Sequence, residues 1–400
     1  MRWRRAAPLV LVLASLITLL TARRGASVPV YAAQTGLACG TCHFDPNGGG
    51  PRNEFGFNFA KNRHRVEPET GKPWSDVALV NRVGENFPLY VGLDHRLMLL
   101  SNDTDAIPGN DRVGFYNMEN ALHLAFQPFS MLTMVYTRDG FDQGSKSQDA
   151  FGMISGGPWS SYLKAGRFRT PFGLRMDDHT VATRNGYLDF LSTPGVLPRF
   201  LPYDPRNPDM GIEVGGESKG LFARASYTNG ETHPFNPPPV APSRAQAKAA
   251  KVGYVTSSFQ AAASFYDDFR DKPGFVNPFR ATRWGAYAMG HMGAVSALLE
   301  VDAGTDEYQG GAKNNLNAGF AELDWTPKRW INVRARYDRL NLGVGDGTFV
   351  TDDQIYDRYA LEGEWVPVPF AELRATVRQI SQQDGPYDET QGYLQFHFSY

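Results

Sequence analysis

From residue 87 onward, hydrophobic and polar residues alternate along the chain with a period of two. In one such run, Ile331, Val333 and Ala335 alternate with Arg334 and Arg336. Successive side chains of a β-strand point to opposite faces, so the pattern predicts strands with one apolar and one polar face. Strands between lipid and an aqueous lumen have this pattern, but so do the strands of a soluble sandwich.

The connections between the runs favour a membrane barrel. Many are tight turns, such as those at Gly157-Pro158 and Pro367-Val368-Pro369, whereas 169–208, 229–248, 304–315 and 341–354 are long and polar. Bacterial outer-membrane barrels have short turns at one rim, long loops at the other and an even number of strands. The sequence therefore predicts an all-β fold, namely an antiparallel transmembrane β-barrel of about 16 strands. The longest connection, 169–208, is long enough to fold inward and narrow the pore. The runs lie near 87–100, 112–127, 130–139, 147–155, 160–168, 209–217, 220–228, 249–258, 259–268, 280–291, 293–303, 316–325, 330–340, 355–365, 370–381 and 389–400.

Both ends of the sequence fit an exported barrel. Arg2, Arg4 and Arg5 precede a charge-free, mostly hydrophobic stretch at 9–20, which predicts a secretory signal peptide over residues 1–27. At the other end, aromatic and aliphatic residues alternate with polar ones up to Tyr400. That pattern resembles the signal that the barrel assembly machinery reads. We therefore expect a protein of the bacterial outer membrane, in contact with its lipid.

Composition excludes two other classes of protein. A mean hydropathy of −0.38 cannot supply several helices of ~20 apolar residues each, which excludes a polytopic helical membrane protein. Without the five arginines of 1–27, the chain has 35 basic and 42 acidic residues, a net charge of −7. This balance gives no sign of nucleic-acid binding.

The only two cysteines of the sequence lie in the segment Cys39-Gly40-Thr41-Cys42-His43. This is the attachment motif of a c-type haem, in which two thiols bind the vinyl groups covalently and the adjacent imidazole binds the iron. Zinc would need a second pair of ligands, and no second Cys pair exists. The motif predicts one haem c attached to Cys39 and Cys42, with His43 as its proximal axial ligand.

The distal ligand is open to more than one interpretation. His64 is the leading candidate because it follows Phe55 and Phe59, which lie one helical turn apart and can pack on the porphyrin. Alternatively, His64 belongs to a basic stretch in which Lys61, Arg63 and Arg65 pair with the haem propionates. The distal ligand could then be Met98 or His123, from the lumen face of the barrel. Together these features divide the chain into a signal peptide at 1–27, a short, mostly helical monohaem cytochrome segment at 28–86 and a barrel at 87–400.

The chain resembles a known family, the fused monohaem cytochrome–porins. The similarity lies in residues 31–36 before the haem motif and in the Phe55-Gly56 pair followed by Phe59. A second segment, Gly166 to Gly173, is similar to the phosphate-selective porins. The first resemblance implies an iron(II):cytochrome c oxidoreductase type of electron carrier, with an extracellular donor such as ferrous iron and a periplasmic c-type cytochrome as partners.

Three functions compete at this stage. In the first, one haem carries electrons across the outer membrane. About sixty residues are marginal for an independent hydrophobic core, so the N-terminal segment would be a plug that packs against the inner wall of the barrel. The second is a diffusion porin for anions or small solutes, with lumen arginines for selectivity. The third is a scaffold barrel around a separate multihaem cytochrome.

Any surface iron site would use loop carboxylates such as Asp103, Asp105, Asp352 and Asp353. The arginines considered for selectivity are Arg167, Arg169, Arg334, Arg336, Arg374 and Arg378.

Overall fold

The structure is a computed structural model of the whole chain. It describes residues 29–75, 79–84, 86–104, 112–139, 149–176, 178, 181–184, 208–230, 247–270, 279–308, 310–343, 355–385 and 388–400. The predicted signal peptide lies outside these residues, as do Asp105, Asp352 and Asp353.

Sixteen antiparallel strands form one closed barrel, which confirms the predicted fold. Each strand pairs with its neighbours in sequence, and β1 pairs with β16 to close the sheet. Closure removes the exposed strand edges that a membrane cannot tolerate. The strands are β1 (Leu89–Thr104), β2 (Arg112–Phe129), β3 (Leu132–Asp139), β4 (Ala150–Gly157), β5 (Ser161–Phe168), β6 (Asp209–Ser218), β7 (Leu221–Thr228), β8 (Ala247–Val255), β9 (Phe259–Arg270), β10 (Phe279–Met292), β11 (Val295–Tyr308), β12 (Lys313–Lys328), β13 (Ile331–Asn341), β14 (Ile355–Val368), β15 (Ala371–Gln382) and β16 (Asp388–Ser399).

The two faces of the sheet differ in polarity, as the alternation predicts. On β12, Leu323 and Trp325 are exposed on the outer face, whereas Glu322 and Asp324 between them are buried. On β14, Tyr359 and Leu361 are exposed and Arg358 is fully buried. The barrel therefore has an apolar exterior and a charged interior. Among the described residues, no helix reaches the length and apolarity of a membrane-spanning helix.

Two details of the sequence analysis are wrong. The connection 304–315 is not a long loop, because β11 extends to Tyr308 and β12 begins at Lys313. The extension continues the inward polar face, where Asp306 is buried and bonds Arg283 at 2.7 Å. Asp103 is not a loop residue either, since it lies on β1 opposite Thr390 of β16.

The N-terminal segment contains two short α-helices and a 3₁₀ turn. Helix α1 spans Pro29–Thr35, the 3₁₀ turn spans Cys39–Thr41 and α2 spans Glu54–Lys61. Helix α1 packs on β10 and β11, and the Ala33 carbonyl lies 2.6 Å from Nδ1 of His291. On the other side, Phe57 of α2 packs on Phe370 and Tyr400. The segment lies inside the barrel, at the end that carries the short turns.

The connection after β5 folds into the lumen, which confirms that expectation over its described part. Phe172, Ala182 and Arg184 are fully or almost fully buried. The loop is bonded to the wall: the Gly173 amide donates to Ser264 at 3.0 Å, and the Ala182 amide donates to an Asp338 carboxylate at 3.2 Å. The lumen therefore contains two inserts, the N-terminal segment and this loop.

Candidate functional site

The predicted haem motif forms a compact turn. Cys39–Thr41 is a 3₁₀ turn, and the amides of Cys42 and His43 donate to the Cys39 carbonyl at 3.2 and 3.1 Å. The chain then reverses over 44–51, where Gly48, Gly49 and Gly50 have positive φ, and the Phe44 amide donates to the Pro51 carbonyl at 3.2 Å. The two thiols are not joined in a disulfide.

Helix α2 packs directly against this turn. Its N-cap is Asn53, whose side chain accepts from the Gly56 amide at 3.0 Å and donates to the Thr41 carbonyl at 3.1 Å. The Asn53 amide also donates to the Cys42 carbonyl at 2.9 Å. One residue thus starts the helix and ties it to the cysteine turn, because N-cap side chains satisfy the otherwise unpaired amides of the first helical turn.

The structure places Cys42, Phe59 and His64 in one apolar cluster. Cys42 is buried with Val30, Tyr31 and Phe59. The His64 ring packs on both aromatic residues, at 4.3 Å between ring centroids for Tyr31 and 5.7 Å for Phe59. Helical spacing predicts that Phe59 and His64 lie near the motif, as observed. No spacing or periodicity in the sequence predicts the contact of Tyr31 with His64.

His64 lies at a tight backbone corner that ends α2. Arg63 and His64 both have left-handed backbone conformations, with φ of 52° and 58°, which few residues other than glycine adopt. The His64 amide donates to the Phe59 carbonyl at 2.9 Å, so the chain turns back over the last helical turn. Burial lowers the pKa of His64 to about 3, so its imidazole is neutral at neutral pH. The neutral imidazole is the form that binds iron.

Arg63 clamps this corner to the barrel. Its guanidinium pairs with Glu69 and lies over the rings of Trp74 and Trp330, at 5.3 and 4.6 Å from their centroids. It also lies 3.4 Å from the carbonyls of Val366 and Pro367. These contacts join the end of α2 to the β12–β13 turn and to the last residues of β14.

The residues just after the motif are bonded to the opposite side of the wall. Asp45 and Glu213 both lie 3.0 Å from the ammonium of Lys164, which is completely buried. Asn47 donates to Glu213 at 2.9 Å and accepts from Arg224 at 2.8 Å. The turn is thereby fixed to β5, β6 and β7.

The other predicted site residues lie elsewhere. Phe55 is exposed and lines an open cavity rather than the cluster. His123 is held on the wall, with Nδ1 3.1 Å from the Thr137 hydroxyl and Nε2 2.9 Å from Asp94. Met98 is buried on β1, nine residues beyond its start and therefore roughly 30 Å along the strand. The structure brings neither His123 nor Met98 into the Cys42 cluster.

Comparison with solved structures identifies the architecture of the barrel. The anion-selective porin of Comamonas acidovorans superposes with a TM-score of 0.58 at 11% identity, over 78% of this chain and 99% of that one. The barrel has the porin fold. OprB of Pseudomonas putida gives a TM-score of 0.53 at 10% identity, over 78% and 94% of the two chains. No protein-family model and no curated protein matches the sequence.

Within this porin-type barrel, two wall carboxylates lie next to His64. Oxygen atoms of Glu364 on β14 and Glu372 on β15 and a nitrogen of His64 all lie within 4.8 Å of one another. Glu364 also accepts from the Tyr31 hydroxyl at 2.8 Å. Alternation along the strands could place both carboxylates in the lumen. It could not show that they meet a histidine about 300 residues earlier in the sequence.

The arginines considered for anion selectivity have partners. Arg334 pairs with Asp324 at 2.9 Å and Glu362 at 2.5 Å, and Arg374 pairs with Glu364 at 3.2 Å. The remaining four bond Pro208 (Arg167), Asp149 (Arg169), Asp338 (Arg336) and Gln391 (Arg378). Four of the six are paired with carboxylates, which reduces their contribution to a preference for anions, whereas Arg167 and Arg378 bond neutral oxygen atoms.

The residues around the motif fit a c-type haem. The thiols and a histidine come from the turn, and the buried Nδ1 of His64 makes no hydrogen bond to any described residue. Phe59 of the Cys42 cluster also lines a cavity of about 340 Å³, whose walls include neither the two cysteines nor His64. Its walls combine the rings of Phe55 and Phe59 with the cations Lys61 and Arg65. An apolar porphyrin with two acidic propionates needs this combination of rings and cations.

Proposed function

We propose that this chain is an outer-membrane electron carrier, in which a porin-type barrel encloses one c-type haem bound to its N-terminal segment. The observation that carries the proposal is the position of the motif. Cys42 is buried in the lumen of a closed barrel, in one cluster with Phe59 and His64. A haem supplies a one-electron Fe(III)/Fe(II) couple.

In this proposal each residue of the site has a separate task. Cys39 and Cys42 would hold the haem covalently, and His43 would bind its iron as the proximal ligand. His64 would be the second iron ligand, and its burial keeps the ring neutral. Tyr31 and Phe59 exclude water from the ligand side, while Lys61 and Arg65 pair with propionates.

The position of the plug favours electron transfer over a purely structural haem. A barrel's apolar band is about 25 Å tall, so a haem fixed outside one rim would be far from the other surface. Residues 29–63 instead contact wall residues on both sides of the lumen, from Lys164 to Glu364. Short turns face the periplasm in bacterial barrels, so the plug would lie nearest to a periplasmic c-type cytochrome. The extracellular donor would approach from the long loops, and the family resemblance implies ferrous iron as that donor.

A difference spectrum tests this function. Outer membranes that contain the protein should show a reduced-minus-oxidised c-type spectrum, and ferrous iron added to intact cells should reduce it. Cys39→Ala should remove the two-thioether spectrum and leave barrel insertion intact. A full-length, inserted protein without covalent haem would refute the proposal, whereas a haem that ferrous iron cannot reduce would refute only the donor.

The second candidate is solute diffusion. It is favoured by the porin fold, which the anion-selective porin of Comamonas acidovorans shares. Against it, the plug and the inward loop occupy the lumen, and four of the six candidate arginines are paired with carboxylates. Large, permanently open conductance in planar bilayers would support this alternative. The same two inserts leave a scaffold role around a separate multihaem cytochrome with less support.

A further inference from the structure

We infer that the barrel wall completes the proposed haem site, with Arg63 clamping the His64 corner to two short turns and Glu364 and Glu372 accepting a hydrogen bond from the His64 imidazole. The inference rests on the proposed function. It assigns to barrel residues a positioning role for a ligand that the N-terminal segment carries.

The first step is the strained corner. Two consecutive non-glycine residues, Arg63 and His64, hold left-handed conformations. Such conformations are unfavourable and persist where surrounding structure enforces them, often at functional sites. Here the enforcing contacts come from the ion pair with Glu69 and from Trp330, Val366 and Pro367 of the barrel. The corner would relax if the barrel did not hold it.

The second step is the direction of the ring. Tyr31 and Phe59 pack on the His64 ring, and the Tyr31 hydroxyl is itself fixed to Glu364. The ring is therefore held by two aromatic residues at a position where one of its nitrogens lies near the two wall carboxylates. Its buried Nδ1 makes no hydrogen bond within the described part of the chain.

The third step is the chemistry of the outer partner. A histidine that binds a metal through one nitrogen almost always donates its other N–H, often to a carboxylate, which fixes the ring and makes it a stronger donor. Glu364 and Glu372 offer such carboxylates, because an oxygen atom of each and a ring nitrogen of His64 lie within 4.8 Å of one another. Arg374 pairs with both carboxylates, and His397 lies 3.6 Å from Glu372.

The carboxylates should therefore stabilise ferric over ferrous iron. Replacing Glu364 or Glu372 by glutamine keeps the volume and exchanges the carboxyl group for a neutral amide, a weaker hydrogen-bond acceptor. We expect each variant to retain the six-coordinate low-spin spectrum and to favour reduction about tenfold more than wild type, a rise in midpoint potential of about 59 mV for one electron. Glu389→Gln is the matched control. Glu389 is also buried and bonds Asn102 and Gln391, but it lies at the start of β16, whereas Glu372 is opposite His397 near the end of that strand.

Arg63 is tested separately. Arg63→Lys keeps the charge but cannot bond Glu69 and two carbonyls from one planar group. We expect a fraction of the haem to become high-spin and to bind added azide. Arg329→Lys is the control, since Arg329 forms an exposed pair with Glu67.

The outcomes separate the two proposals. Only variants that show the heat-dependent gel shift of a folded barrel are compared. Tyr31→Phe, which frees Glu364 from its hydroxyl partner, replaces any glutamine variant that does not fold, and it should shift the potential in either direction. Wild-type protein without covalent haem overturns both proposals. A haem whose potential and spin state are the same in wild type, Glu364→Gln, Glu372→Gln and Arg63→Lys overturns this inference alone.

Discussion

Gly56 of α2 lies against the backbone of Cys42, so closely that a β-carbon at position 56 would be 2.2 Å from the Cys42 carbonyl oxygen. No rotamer can relieve that overlap, because the backbone fixes the position of a β-carbon and the carbonyl oxygen is itself a backbone atom. The cysteine turn and the helix can approach to this distance only with glycine at position 56. The contact couples the thiol turn to the helix that carries Phe59 and ends at the His64 corner.

Gly56→Ala should separate α2 from the cysteine turn. Overpacking of this kind costs about 1–3 kcal/mol, and here the cost falls on the N-terminal segment. We expect less covalent haem per folded barrel and faster proteolysis within residues 29–75. Gly152→Ala on β4 is the control, because a β-carbon there meets no atom within 4 Å. Normal haem content in Gly56→Ala would mean that this contact is dispensable.

The Lys164 ion pairs should stabilise the plug in the lumen. Lys164→Met leaves the carboxylates of Asp45 and Glu213 without their shared cation, and breaking a buried pair costs about 3–5 kcal/mol. Urea denaturation of the folded barrel, followed by tryptophan fluorescence, measures the loss. Lys313→Met removes a half-exposed pair with Glu307 and should cost about 1 kcal/mol or less. Equal losses in the two variants would contradict a special role for Lys164.

Acid should release the Arg63 clamp. The hydrogen bond from Arg63 lowers the pKa of Glu69 below its ordinary value of 4.5. A carboxyl with a lowered pKa stabilises the fold above its unfolded pKa, and that stability is lost as pH falls through the folded pKa. We expect protection against hydrogen exchange in peptides covering 61–75 to be constant near neutral pH and to fall below about pH 4.5. In Glu69→Gln this loss of protection between neutral and acid pH should disappear.

Arg184 should control access through the lumen. It lies 3.0 Å from Glu300 and 3.4 Å from Asp302, and all three side chains are fully buried. Arg184→Met leaves two unpaired acids, so the inward loop should move away and water should enter. We expect higher single-channel conductance with a shift towards cations. Arg280→Met, which removes a mostly exposed arginine paired with Asp267, should leave conductance unchanged.

Most of the barrel was predictable from the sequence. The alternating runs match the sixteen strands to within a few residues, and Cys39, Cys42 and His43 form a motif that does not depend on the fold. The proximity of His64 to the motif was predictable as well, because His64 is close in sequence and follows two aromatic residues at helical spacing. Each of these features is encoded by residues near one another in the chain, where periodicity and spacing carry the information.

Only the tertiary structure shows what surrounds the motif. Closure of the barrel places Glu364 and Glu372 beside His64 and Lys164 beside Asp45, and it pairs His123 with Asp94 on the wall. Alternation predicts that a given side chain faces the lumen, but it does not predict which other side chain contacts it there. The sequence therefore determined the strands and the haem motif, while the contacts between plug and wall depend on the rotation and depth of the plug. Those are set by packing between residues far apart in the chain, such as Phe57 with Phe370 and Tyr400.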